Sequence, residues 1–260
     1  MNRTLQPALS LFALGMAGLG ILALTYGDFA LVWQPVASWI PGRTALAYIS
    51  GALMLLGGLT PMFPLTSRWA AIILFPYLIA WALLKVPALV VAPKMEAVWL
   101  GFGELVMLFS GGWILFARLS GVGSPFEFAT GDRGVRIARV LFALALLPVG
   151  LSHIFYLKQT AELVPAWLPY RIGWAYLTGA GQMACGLGIL FSVLPRITAI
   201  AEAGMLSLFG LLIWLPAVVA APRDRLPWTA FFITWAIASS AWLVATTTRD
   251  RVSAATIAAP

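Results

Sequence analysis

Hydrophobic residues run through this chain in long blocks, each close to the length of a membrane-crossing helix and each closed by a short polar break. A bilayer core about 30 Å thick takes about 20 apolar residues in helical form. The blocks predict eight spans, at 8–26, 43–63, 68–91, 97–117, 136–156, 171–193, 196–219 and 227–247. The first block follows Arg3 as a signal peptide would. The second half opens with an equivalent block, 136–156, that cannot be a signal, so the first is read as a span. The polar stretch "GVGSPFEFATGDRGVR", 121–136, separates the halves.

Polar and aromatic residues show that the two halves repeat each other. Residues 36–60 and 164–188 align without a gap with ten identities, among them Trp39/Trp167, Pro41/Pro169, Arg43/Arg171, Tyr48/Tyr176 and Gly51/Gly179. One residue of slippage later, "VPALVVAP" (86–93) matches "LPAVVAAP" (215–222), and Trp99 and Trp113 fall on Trp228 and Trp242. Shared hydrophobicity would not place tryptophan, proline and arginine in register. Four spans per half is an even number, so both halves insert the same way as a parallel repeat. The expected fold is an all-α polytopic membrane protein, eight transmembrane helices arranged as two four-helix bundles side by side. Its divisions are 1–120, a linker at 121–135, 136–248, and a polar tail at 249–260.

Composition agrees: 62% of the 260 residues are hydrophobic and 10% charged, where soluble domains carry roughly 25% charge. The net charge of +7 comes from arginines scattered through short loops, which argues against a nucleic-acid partner and for a record of membrane orientation. The side with both termini collects nine arginines against six or seven cations opposite. That places both termini in the cytoplasm and the chain in the cell (inner) membrane. The one cysteine, Cys185, sits beside Gly186 in a helical run and reads as a packing residue. A single histidine, His153, excludes bis-histidine haem within one chain and argues against a multi-histidine metal site, so none is expected.

The repeated Trp–Pro–Arg segment falls at the outer interface, just before spans 2 and 6. Tryptophan suits headgroup depth, and proline suits a helix start. Ala47/Gly51 and Ala175/Gly179 are small residues four apart, which allow close helix approach. Arg43 and Arg171 oppose the helix dipole there, at about 0.3–1 kcal/mol. Each either snorkels to the headgroups or meets an anion or carbonyl, on a lipid or on a ligand head. His153 ends span 5, and Gln182 lies about 16 Å into span 6. Glu104 and Glu202 each lie about 10–12 Å deep, in spans 4 and 7. Intramembrane carboxyls are either proton-coupling groups or neutral acids bonded to a neighbouring helix. Neither is duplicated: Glu104 faces Ile233, and Glu202 faces Leu74. For His153 the first half offers "YGDF", with Asp28 nearby.

The stretches "GLSHIF", "VPAWLP", "YLTGAGQMACGLGIL" and "LPAVVAAP" resemble the DoxX-like family of small four-span membrane proteins. The likeness covers roughly 145–222, and the repeat carries a weaker likeness to the first half. His153, Pro165, Pro169 and Gly179 fit the family pattern, whereas Gln182 stands where the family usually has Glu. If the family's His and Glu cooperate in proton handling, Gln182 can bond but cannot carry the proton. The resemblance implies a redox role at the membrane, in complexes with a partner protein that serve quinone reduction or oxidative-stress defence. On that reading Arg171, His153 and Gln182, with Trp167, Trp174 and Tyr176, hold a quinone head near the outer interface, and Arg43 is the first-half counterpart. A complete enzyme is disfavoured, because the chain has no dinucleotide loop, no metal cluster and no dithiol. The alternative is a non-enzymatic carrier or scaffold for a small hydrophobic solute, with Glu104 and Glu202 as coupling sites.

Overall fold

The computed structural model describes residues 5–60, 66–121 and 127–248. Arg3, Arg249 and Arg251, the end of the second predicted span (61–63), linker residues 122–126 and the tail 249–260 lie outside the described residues. Helices make up the described chain: α1 (Leu5–Tyr26), α2 (Arg43–Leu59), α3 (Ser67–Val91), α4 (Glu96–Leu119), α5 (Gly131–Phe155), α6 (Leu157–Leu163), α7 (Arg171–Leu190), α8 (Pro195–Phe209), α9 (Leu215–Ala220) and α10 (Arg225–Thr246). A π turn, Gly210–Trp214, fuses α8 to α9. The protein is an all-α polytopic membrane protein.

Six helices have the length and apolarity to cross a bilayer: α1, α3, α4, α5, α10 and the fused Pro195–Ala220. The other two predicted spans fall short for different reasons. The described α2 has 17 residues, a rise of about 26 Å. The 20 residues of α7 include five glycines besides Arg171, Thr178 and Gln182, which dilute its apolar character. Both follow a left-handed residue, Gly42 (φ 67°) and Tyr170 (φ 54°). Those positions correspond in the aligned segments, and only Gly42 avoids a steric cost there.

The small residues of the repeated segment do what their spacing predicts. Ala47 and Ala175 are fully buried. A Cβ on Gly51 would lie 3.0 Å from the Cβ of Ala23 and 3.2 Å from the Gly20 carbonyl. A Cβ on Gly179 would lie 2.8 Å from the Cβ of His153 and 2.7 Å from the Gly150 carbonyl. A Cβ on Gly58 would lie 2.6 Å from the Ala13 carbonyl, as one on Gly186 would lie 2.8 Å from that of Ala143. Thus α1 packs on α2 as α5 packs on α7. The comparison also corrects one expected pairing: the residue in the place of His153 is Ala23, not one of "YGDF".

The halves interlock more than two bundles side by side would. The closest neighbours of α1 are α2 and α10, while α4 packs along α3, α5 and α10. The last helix of each half therefore lies along the first helix of the other, with α4 against α10 between them. One continuous hydrophobic core results, joining Phe12 and Met16 of α1 to Leu78, Leu108 and Phe142. Large apolar side chains such as Leu84 and Val90 of α3 and Leu177 of α7 point outward, as lipid-facing positions should.

Two indole latches fix the turns into the last helix of each half. Trp99 Nε1 donates to the Pro93 carbonyl at 2.9 Å, and Trp228 Nε1 donates to that of Pro222 at 2.9 Å. Between the latches and the preceding helix starts, one difference in length stands out. The run Ser67–Val91 has 25 residues, whereas Pro195–Ala220 has 26. The one-residue slippage in the sequence alignment falls inside this helix. The π turn at 210–214 absorbs it, because i→i+5 bonding accommodates one more residue in a turn while the flanking helix continues.

Candidate functional site: a cavity walled by α4 and the second half

The extra residue sits on the wall of a cavity of about 1010 Å³ enclosed by α4, α5, α7, the α8–α9 helix and α10, under the segment 156–168. Its walls are mainly apolar, including Met107, Val149, Phe209 and Ile233. Leu177 on α7 and Leu208 on α8 line it and are also exposed. The cavity thus reaches the lipid-facing surface between those two helices. Pockets of about 300–1,000 Å³ with few polar groups are the usual form of small-molecule sites.

Five of the expected site residues line this space: Glu104, His153, Trp167, Trp174 and Gln182. Glu202 stands behind the wall, fully buried, and its Oε1 accepts from Gln182 Nε2 at 3.3 Å. The remaining carboxyl oxygen of Glu202 and the amide oxygen of Gln182 are buried without a partner. His153 Nδ1 lies 2.9 Å from Thr178 Oγ1, and its ring packs against Phe209 with centroids 6.0 Å apart. Among the described residues Glu104 makes no hydrogen bond or ion pair, and Lys85 acts on it only electrostatically. The Lys85 ammonium instead donates to the carbonyls of Gly101 (2.8 Å) and Val32 (3.4 Å).

Three expected site residues lie elsewhere. Arg171 and Tyr176 are exposed and do not line the cavity. Arg43 has an anionic partner inside the protein, Asp28, and also donates to the Val36 carbonyl at 3.2 Å. Asp28 binds Arg225 of α10 as well, at 3.2 Å. Arg225 further donates to the backbone carbonyls of Asp28 (3.1 Å) and Phe29. Partial burial works against ionisation of Asp28, yet bonds from Arg43, the Phe29 N–H and Arg225, with the Arg43 charge, hold its carboxyl below the usual carboxylate range. The cluster ties the end of α1 to the start of α2 and, across the halves, to α10.

In the first half the counterparts of the cavity-wall residues Thr178 and Gln182, Ser50 and Met54, are packed into the core. Segment 27–42 folds inward, burying Trp33 and Gln34. Counting back from Val36 and Val164, Ala161 takes the position of Trp33. Gln34 donates to Tyr77 OH at 2.6 Å and to Ser50 Oγ at 3.1 Å, and those two hydroxyls lie 2.7 Å apart. The Gln34 amide oxygen accepts from the Ala30 N–H at 3.0 Å. Met54 and Leu74, in the places of Gln182 and Glu202, are fully buried apolar residues. Sequence reasoning missed this triad. Its one available signal was a hydroxyl at the same repeat position in both halves, Ser50 and Thr178.

No family model matches this chain, and comparison with curated proteins and with solved structures likewise finds no match. Among the described residues no group of three or more His, Cys, Asp or Glu is placed to hold a metal. The free Cys185 is buried, in keeping with a packing role.

Proposed function

We propose that the cavity walled by α4 and the second half of this protein binds a small lipid-soluble molecule with a polar head, and that a quinone serving a membrane redox complex is the class it takes. The observation that carries the reading is the convergence of Glu104, His153 and Gln182 on one apolar cavity that reaches the lipid-facing surface. Four-span units of DoxX-like type, 1–120 and 136–248 joined by 121–135, are the proposed organisation. The recurring glycine contacts and the paired indole latches support it. Seating in the cell (inner) membrane with both termini cytoplasmic, and a redox partner protein supplying or taking electrons, belong to the same proposal. The alternative, a carrier for a hydrophobic solute, draws its support from the unpaired Glu104 on the cavity wall.

Lipid-soluble molecules that co-purify with the full chain, identified by mass spectrometry, test the reading. A stoichiometric ligand should be lost in His153→Ala and in Ala230→Trp, which puts a large ring into the cavity from its α10 wall, and retained in Arg171→Ala. Loss only in Arg171→Ala would move the site to the interface. A preparation carrying ordinary phospholipid alone, unchanged by all three substitutions, would remove the binding role.

A further inference from the structure

Helices α7 and α8 are in close contact at the turn that joins them and then part. Near that turn a Cβ on Gly188 would lie 2.5 Å from Thr198 Cγ2. Seven residues back along α7 and seven forward along α8 bring Gly181 and Met205 to the same level, about 10 Å from that contact. There a Cβ on Gly181 would have the Met205 sulfur as its nearest neighbour, 3.7 Å away. A Cβ on Gly204 would meet nothing within 4 Å, and Gly204 lines the cavity. Small residues on paired membrane helices ordinarily bring the backbones together; these two stand beside a gap. The aligned positions of the first half hold Leu53, Pro76 and Tyr77 in place of Gly181, Gly204 and Met205. Tyr77 is buried there, bonded to Gln34 and Ser50.

The gap has an apolar rim. Leu177 of α7 and Ala201, Met205 and Leu208 of α8 line the cavity, and Leu177, Ala201 and Leu208 are also exposed. Met205 is half-buried beside Gly181. Its unbranched chain has three rotatable bonds and swings aside at small cost. One residue on from Gly181, Gln182 lines the cavity with its amide oxygen buried and without a partner. A molecule passing between Leu177 and Leu208 would thus leave lipid for apolar side chains and meet the polar wall only inside. The cavity has another exposed rim at Val32, Trp167 and Leu226. Leu226 directly follows Arg225 of the charged cluster with Asp28. Crossing such polar surroundings takes an apolar molecule out of its favoured solvent, so the α7–α8 rim is the easier way in from the bilayer.

We propose that the gap between α7 and α8 is a lateral portal, through which the ligand enters the cavity from the bilayer, and that Met205 is the side chain that moves aside to admit it. The ligand belongs to the class of molecules that reside in the bilayer rather than in water. The proposal rests on the cavity being a binding site, and the test separates the two ideas.

The purified full chain in lipid nanodiscs is mixed rapidly with decylubiquinone, and quenching of tryptophan fluorescence gives the rate of entry. Mixing the loaded protein with excess quinone-free nanodiscs gives the rate of release, and a titration gives Kd. Gly204→Phe, with open space at its Cβ, should slow entry and release alike by about tenfold, so that Kd moves far less than either rate. Met205→Ala should speed both, and Leu226→Trp at the other rim should change them far less than Gly204→Phe. Ala230→Trp should weaken Kd. Binding weakened by Ala230→Trp, with rates indifferent to Gly204→Phe and Met205→Ala or slowed only by Leu226→Trp, keeps the binding site and overturns the portal. A Gly204→Phe effect confined to release would make Gly204 part of the binding wall and likewise overturn the portal. No saturable quenching, or quenching indifferent to Ala230→Trp, overturns the site and the portal together.

Discussion

Asp28→Asn removes one negative charge from a junction where three parts of the protein meet. The substitution keeps the shape of the side chain and leaves the bonds from Arg225 to the backbone carbonyls of Asp28 and Phe29 in place. What it loses is the ionic part of the contacts to Arg43 and Arg225. The side chains of Asp28, Arg43 and Arg225 are 30%, 28% and 13% exposed. Fully exposed pairs contribute about 0–1 kcal/mol, and hydrogen bonds to charged groups in drier sites about 1.5–3 kcal/mol. Discounting the latter for partial exposure gives about 1 kcal/mol per arginine, or about 2 kcal/mol in all.

The sign with pH is fixed by the depressed carboxyl. The stabilisation is complete above the ordinary aspartate value of about 3.9. It is lost as pH falls through the lower native value. Thermal unfolding in detergent, read by tryptophan fluorescence, should give a lower midpoint for Asp28→Asn at neutral pH. The variant should also lose the part of the acid destabilisation that Asp28 supplies. A double-mutant cycle with Arg225→Gln should return a coupling of about 1 kcal/mol. A variant as stable as the parent at neutral pH, with no coupling to Arg225, would refute the role of Asp28 as a tie between the halves.

Trp33→Ala should cost about 3–5 kcal/mol, because it empties a large, fully enclosed site in the first half; an unchanged midpoint would mean that segment 27–42 adds nothing to the core. Gly58→Ala would set a methyl group 2.6 Å from the Ala13 carbonyl and 2.8 Å from the Ala17 Cα. Forcing α1 from α2 in this way should cost about 1–3 kcal/mol. Gly173→Ala, whose nearest neighbour would be 3.8 Å away, should leave the midpoint unchanged, and equal effects at the two glycines would refute the close-packing argument.

Much of the architecture is legible in the sequence because membrane insertion is a local rule. A run such as 68–91 or 97–117 declares a helix by its own apolar length, since backbone polar groups in lipid have to bond within the segment. Small residues at repeated spacing likewise mark close packing wherever a neighbour is found, as Gly51 and Gly179 do. Which neighbour is found is not a local property. That α4 lies along α5 and α10 along α1 follows from how all the helix faces fill space together, and no periodicity within one half encodes it.

The site divides in the same way. Sequence alone marked Glu104, His153, Gln182 and Glu202 as costly intramembrane polar groups, and the wall residues Trp167 and Trp174 could be suspected from the repeated segment. Only the tertiary structure set Glu104, His153 and Gln182 around one cavity, hid Glu202 behind it and left Arg171 outside. It also showed that Arg43 answers to Asp28, and that the inward fold of 27–42 seats Gln34 on Ser50 and Tyr77. The single extra residue of the second half is visible in the sequence as a slip in alignment. Its consequence, a π turn on the cavity wall, depends on both ends of the helix being held in place by their neighbours, a constraint that exists only in the folded protein.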